Sequence, residues 1–182
     1  MDPDITKINI RDIWERIVSK IRELNAKNEF NPPATPEQLL KLESELGMDL
    51  PIAMAAFLGC QNGCVDYFDQ LLVDYPFLST AEIMSEWQTN CEADEDSDSD
   101  ISDDNLSALW WHRRCLPVCG ANGSCICIDL KTGQIYSFRS GMGGLNGPIA
   151  PTLVEWLADI AERLETGQTK LEDSKVTIEL YG

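Results

Sequence analysis

Histidine is all but missing from this chain of 182 residues, where His112 stands alone. Any Ser-His-Asp or Cys-His machinery would have to be built around that one ring. Its neighbours, Trp110-Trp111-His112-Arg113-Arg114, run into a strand, and neither a Gly-x-Ser-x-Gly elbow nor a phosphate-cradling Gly-x-x-x-x-Gly-Lys loop occurs. His112 therefore reads as a surface or interface histidine. Long apolar runs are lacking too: the longest, Leu50 to Leu58, has 9 residues and contains Pro51, against about 20 for a spanning helix. Positive charge is scarce, with 14 Lys and Arg against 31 Asp and Glu and a net charge of −17. That balance gives no electrostatic reason to bind nucleic acid or an anionic membrane, since both present charge of the same sign. A basic protein partner is favoured instead. Met1-Asp2-Pro3-Asp4 carries no positive charge and precedes no apolar stretch, so a secretory leader is not expected. The cysteine count of 7 is odd, which suits thiols kept reduced in a cytoplasm better than a disulfide framework.

What is present is an ordinary globular composition, 43% apolar, in a length that suggests one domain, with a monomer as the default state. Within residues 8–27, Ile10, Ile13, Trp14, Ile17, Ile21 and Leu24 recur at helical spacing and predict an amphipathic helix, the 1–30 segment being part of the domain. Thr35-Pro36-Glu37-Gln38 is a capping box that opens a second helix, with Leu39, Leu42 and Leu46 inward and Gly47 as its stop. A short third helix follows from Pro51 to Leu58, and a strand is expected around Gln70 to Asp74. Ser79-Thr80-Ala81-Glu82 caps a fourth helix carrying Ile83, Met84 and Trp87. Ser124 to Leu130, apolar on both faces, reads as a central strand turning at Lys131-Thr132-Gly133 into Gln134 to Arg139. Thr152 caps a closing helix with Leu153, Trp156, Leu157, Ile160 and Leu164, and the 169–182 tail alternates like an edge strand through Val176, Ile178 and Leu180.

Candidate chemistry is thin. Gly141-Met142-Gly143-Gly144-Leu145-Asn146-Gly147 comes near a dinucleotide fingerprint, but Asn146 holds its sixth position and Pro148 and Pro151 forbid a prompt helix, so an irregular loop is expected through Pro151. The pairs Cys60/Cys64, Cys115/Cys119 and Cys125/Cys127 lack zinc-knuckle spacing, so buried thiols are the reading preferred over a metal site, and no cofactor is expected. From Glu92 to Asp104, 8 of 13 residues are acidic and none is basic. Such a block repels itself and reads as a solvated insertion, dispensable for folding. Its Asp94, Asp96, Asp98 and Asp100 miss a calcium loop because Ser99 and Asn105 replace the required glycine and glutamate.

The stretch Asn31-Pro32-Pro33-Ala34-Thr35-Pro36-Glu37-Gln38-Leu39, with Leu42-Glu43, Leu46-Gly47, Leu50-Pro51, Phe57-Leu58 and Asn62-Gly63, resembles the N-terminal signature of the SUKH superfamily. Trp111 with Leu116-Pro117-Val118, Gly123 through Ile128-Asp129-Leu130 with Gly133-Gln134-Ile135, and Thr152 through Trp156-Leu157 are similar to its later motifs, in order. The resemblance covers residues 14–168, and the 31–168 core departs from the family pattern in the acidic insertion 92–104, in Cys64 and in the tail. It implies an α+β domain with a central, mostly antiparallel sheet carrying packed helices, and no enzyme activity. It also implies one of two roles: a bacterial immunity protein that neutralises a toxin, or a regulatory scaffold like the yeast cell-wall assembly regulator. A nuclease toxin must be basic to hold phosphate, so an acidic inhibitor suits the first role. The expected contact surface comprises Trp110, Trp111, Gly141, Gly143 and Gly144, with Asp98, Asp100, Asp103 and Asp104 supplying the charge. The expected location is cytoplasmic.

Overall fold

The computed structural model describes residues 3–72, 75–94, 106–107 and 109–179. Helix α1 (Pro3–Glu23) buries Ile10, Ile13, Trp14, Ile17 and Ile21 along the expected stripe. It stops short of residue 27 because Asn25 takes a left-handed φ of 53°, letting Ala26 donate back to Ile21 O at 3.0 Å. Helix α2 (Pro36–Leu46) has both halves of its capping box, Gln38 N–H on Thr35 Oγ1 and Thr35 N–H on Gln38 Oε1. It closes on Gly47 at φ 67°, with Leu42 and Leu46 buried and Leu39 half-buried. Helices α3 (Ile52–Leu58) and α4 (Thr80–Ala93) follow, the latter capped reciprocally by Ser79 and Glu82. No strand forms around Gln70 to Asp74: Leu72 makes single-residue bridges to Tyr75 and Ile178, and 73–74 lie outside the described residues. Its pairing partner is a distant residue, and the two chains run together for one residue only.

Strands β1 (Cys115–Ala121), β2 (Ser124–Asp129), β3 (Ile135–Arg139) and β4 (Gly144–Ala150) form an antiparallel sheet in sequence order. The β2–β3 hairpin is the one expected. The irregular loop expected over 141–151 is instead mostly strand. Ser137 pairs with Asn146 but Ile135 with Ala150, so β4 carries extra residues, Gly147 at φ 139° and Pro148 among them, in a bulge where a missing N–H breaks no ladder bond. Helix α5 (Leu153–Glu165) then buries Trp156, Leu157, Ile160 and Leu164.

At the heart of the core Phe77 meets Phe57, Trp14 and Trp156 edge-on, with ring centroids 5.2, 6.0 and 6.4 Å away. Neither sheet edge is left bare. Residues 76–78 lie along β1, with Leu78 N–H on Val118 O and Gly120 N–H on Pro76 O, and Leu145 of β4 donates to Leu109 O at 2.8 Å. The chain's two ends meet through Asn28, whose side chain exchanges a pair of hydrogen bonds with the Val176 backbone, both 2.9 Å. Val176 belongs to β6 (Lys175–Thr177), which pairs with β5 (Lys170–Glu172) in a hairpin whose Val176 is fully buried. The expected edge strand is thus a clasped hairpin, and Leu180 lies outside the described residues.

All seven cysteines are free thiols, and Cys115, Cys119, Cys125 and Cys127 are buried. Burial pushes the Cys119 and Cys127 thiols well up and raises Cys64 to about 12. Because the thiolate is the nucleophile, iodoacetamide at pH 8 should leave Cys64 and the four strand cysteines unmodified by mass spectrometry and reach all seven only in denaturant. Rapid labelling of Cys127 in the folded protein would contradict this packing.

Candidate partner-binding surface

The segment from Leu106 to Arg114 covers one face of the sheet and determines what the predicted site residues do. Trp110 is half-buried, its ring edge-on to Phe138 at 5.3 Å, while Trp111 is 1% exposed and packs on the same ring at 4.8 Å. Trp111 is therefore core, and of the pair Trp110 alone offers surface. His112 corrects the expectation of a surface ring, for it is 5% exposed and its Nδ1 accepts the Arg114 N–H at 3.1 Å.

The glycines divide similarly. Gly141 and Gly143 are exposed with open space where a side chain would project, Gly143 holding φ 94°. Gly144 is buried, and an added Cβ would lie 2.5 Å from Trp110 Cα, so this glycine is what allows the Leu109–Trp110 backbone to approach β4. It acts as a spacer, and although buried it also belongs to the lining of the adjoining groove.

Asp98, Asp100, Asp103 and Asp104 lie outside the described residues, but the roots of the acidic insertion do not. Glu92 and Ala93 close α4 and Asp94 is its C-cap, so the first three residues of the block belong to a helix end and not to a loop. The Asp94 carboxylate accepts the Trp111 N–H at 3.1 Å, and the Trp87 indole N–H reaches Arg113 O at 2.8 Å. The Arg113 guanidinium sits over the Trp87 ring at 5.9 Å. The insertion thus leaves and returns beside the segment that backs Gly144.

Next to it lies a groove of about 610 Å³ whose lining includes Ser137, Arg139, Met142, Gly143, Asn146 and Ile149. Alternation along β3 sends Tyr136 and Phe138 to the covered face and Ser137 and Arg139 to the groove. Sequence reasoning singled out Gly143 and Gly144 here but not Arg139, Met142 or Asn146. Their one sequence signal is the polar alternation within β3. A second furrow, between α1 and α5, carries the bidentate Arg16–Glu165 pair at 2.8 and 2.7 Å, and that guanidinium holds the Glu165 carboxyl below its ordinary value. That pair joins the two helices, while Lys20 pairs with Glu23 within α1. Among the described residues, no cluster of His, Cys, Asp or Glu is arranged to hold a metal ion, and no helix is long and apolar enough to cross a membrane.

The α+β architecture, the Thr35 capping box, the central hairpin and the closing helix agree with a family model, that of the SMI1 / KNR4 family (SUKH-1), which matches residues 33–159. The chain belongs to this family. No curated protein sequence matches it significantly. SUKH-1 proteins are protein-interacting immunity or regulatory proteins and generally non-catalytic. The matched residues begin just before α2 and end within α5, so α1 and the β5–β6 hairpin lie outside the match and the acidic insertion lies inside it.

Proposed function

We propose that this SUKH-1 protein is an immunity protein that neutralises a basic, nuclease-type toxin, using Trp110, Gly141, Gly143 and the groove beside them as its contact surface. One observation carries the reading: the densest acidic segment of a −17 chain is rooted through Asp94 on the segment that backs this surface. Charge in that position steers a basic partner toward the groove, while apolar and hydrogen-bonding contacts hold it. Steering acts through solvent, so salt must weaken it, charges more than about 8 Å apart being screened at physiological ionic strength.

Stopped-flow association with the cognate toxin is the direct test. The association rate should fall about tenfold or more between low and high salt, with the dissociation rate changing far less. Changing Asp98, Asp100, Asp103 and Asp104 together to Asn should flatten most of that salt dependence. An association rate indifferent to both salt and the four changes would remove the electrostatic reading. Failure of the protein to protect cells expressing the cognate toxin would remove the immunity role itself.

A further inference from the structure

Cations are a minority here, and at least half of the 14 are tied up in ion pairs. Arg16 is paired with Glu165, Lys41 with Glu45, Arg114 with Asp129, Arg163 with Asp159 and Lys175 with Asp69. Arg139 belongs to the remainder and is the cation that lines the groove. It stands exposed on β3, opposite Ser124 on one side and Gly144 on the other, and among the described residues it makes no ion pair. Its recorded side-chain contact is Nη1 to the Met142 sulfur at 3.6 Å. Met142 is itself 75% exposed, more than any other large apolar side chain among the described residues. In a chain with 31 carboxylates, a strand-borne guanidinium left without one in the groove is a donor fork held in place by the sheet.

We infer that the groove between β3 and β4 receives an extended segment of the protein partner, one that carries a carboxylate side chain for Arg139 and an adjacent apolar side chain for Met142 and Ile149. The inference rests on the partner-docking reading above and names the local chemistry that reading leaves open. Charge complementarity fixes the occupant. Arg139 can offer two parallel N–H donors to a carboxylate, whereas a lysine or arginine in the same place would face a like charge. Ser137 and Asn146, directly opposite each other across β3 and β4, supply neutral hydrogen-bonding groups beside the fork. A volume of about 610 Å³ lies within the range of pockets that enclose small ligands or a few side chains.

The arrangement divides attraction from discrimination. The net charge draws in any basic surface, and Arg139 then admits the one that sets an acidic residue at the right point. Generic cationic proteins gain the steering and are opposed at the contact. Arg139 is in this sense a specificity-determining residue.

The test uses two blocked pentapeptides, one with a central aspartate flanked by leucines and its twin with a central lysine, titrated into the isotopically labelled full-length protein and followed by amide NMR shifts. The aspartate peptide should shift the Ser137, Arg139, Gly143 and Asn146 amides and bind about fivefold or more tightly than the lysine twin, the range expected for one charge-assisted pair. Arg139→Ala should abolish the preference and Arg139→Glu should reverse it, with unchanged melting temperatures because the side chain is exposed. Equal binding of the two peptides, shifts away from the groove, or a preference that survives Arg139→Glu would each overturn the inference. A strongly salt-dependent association with the toxin alongside no peptide preference would remove this inference and leave the proposed function standing. Peptide preference without any toxin binding would do the reverse.

Discussion

Asp129→Ala should cost roughly 3–5 kcal/mol, the range for removing one partner from a buried ion pair. Asp129 is fully buried, and its two carboxylate oxygens accept four hydrogen bonds. Oδ1 takes Arg114 Nε at 2.9 Å and Lys131 N–H at 3.0 Å, and Oδ2 takes Arg114 Nη2 at 2.8 Å and the Thr132 hydroxyl at 2.7 Å. One side chain therefore fixes the β2–β3 turn and anchors the segment that carries Trp110 and Trp111. Removing it leaves the Arg114 guanidinium, 14% exposed, without a counter-charge. The melting temperature should drop by about 10 °C or more. Adding Arg114→Met should recover part of the loss, because an apolar pair of similar volume carries no desolvation penalty. A single Asp129→Ala variant that melts with the parent would show that the carboxylate is not structural.

Phe77→Ala should be at least as damaging, again about 3–5 kcal/mol. The ring is 1% exposed and touches aromatic rings from α1, α3 and α5 at once, so its loss opens a cavity that none of the three helices can fill alone. Edge-to-face pairs add about 0.5–1.5 kcal/mol each beyond area burial. Phe77→Leu keeps most of the volume and should lose much less. Urea unfolding of both variants separates the cases, and equal midpoints for Phe77→Ala and the parent would show the aromatic cluster to be energetically idle.

Helices were legible in this chain because their evidence is local. A capping box needs four consecutive residues, as at Thr35 and Ser79, and an apolar stripe needs about four turns, as from Ile10 to Ile21. Strand β4 was illegible because Gly147 and Pro148 destroy any period-two pattern, and it is pairing with β3, a tertiary fact, that makes it a strand. Trp110 and Trp111 look equivalent in sequence and both rings meet Phe138, yet Trp111 is covered and Trp110 is half-buried, a difference set by tertiary packing. Arg139 was invisible for the same kind of reason. An arginine on a polar face is unremarkable until the residues opposite it prove to be serine and glycine. The Gly-rich segment is visible in the sequence, but the close backbone approach that Gly144 allows is not, because it depends on Leu109 and Trp110 lying against β4.

The clasp between Asn28 and Val176 joins residues 148 apart, and Arg16 and Glu165 are joined across 149. Both links wait for the residues between their partners to be made. At about 5–20 residues per second of synthesis, α1 leaves the ribosome roughly seven to thirty seconds before α5 exists to cover its apolar stripe. Helix α3 can shelter part of that stripe earlier, since it packs on α1 in the finished fold. For the remainder of that interval the nascent domain exposes isoleucine and tryptophan side chains to the cell. How long that exposure lasts depends on the rate of translation, a kinetic consequence of placing the two halves of one clasp 148 residues apart.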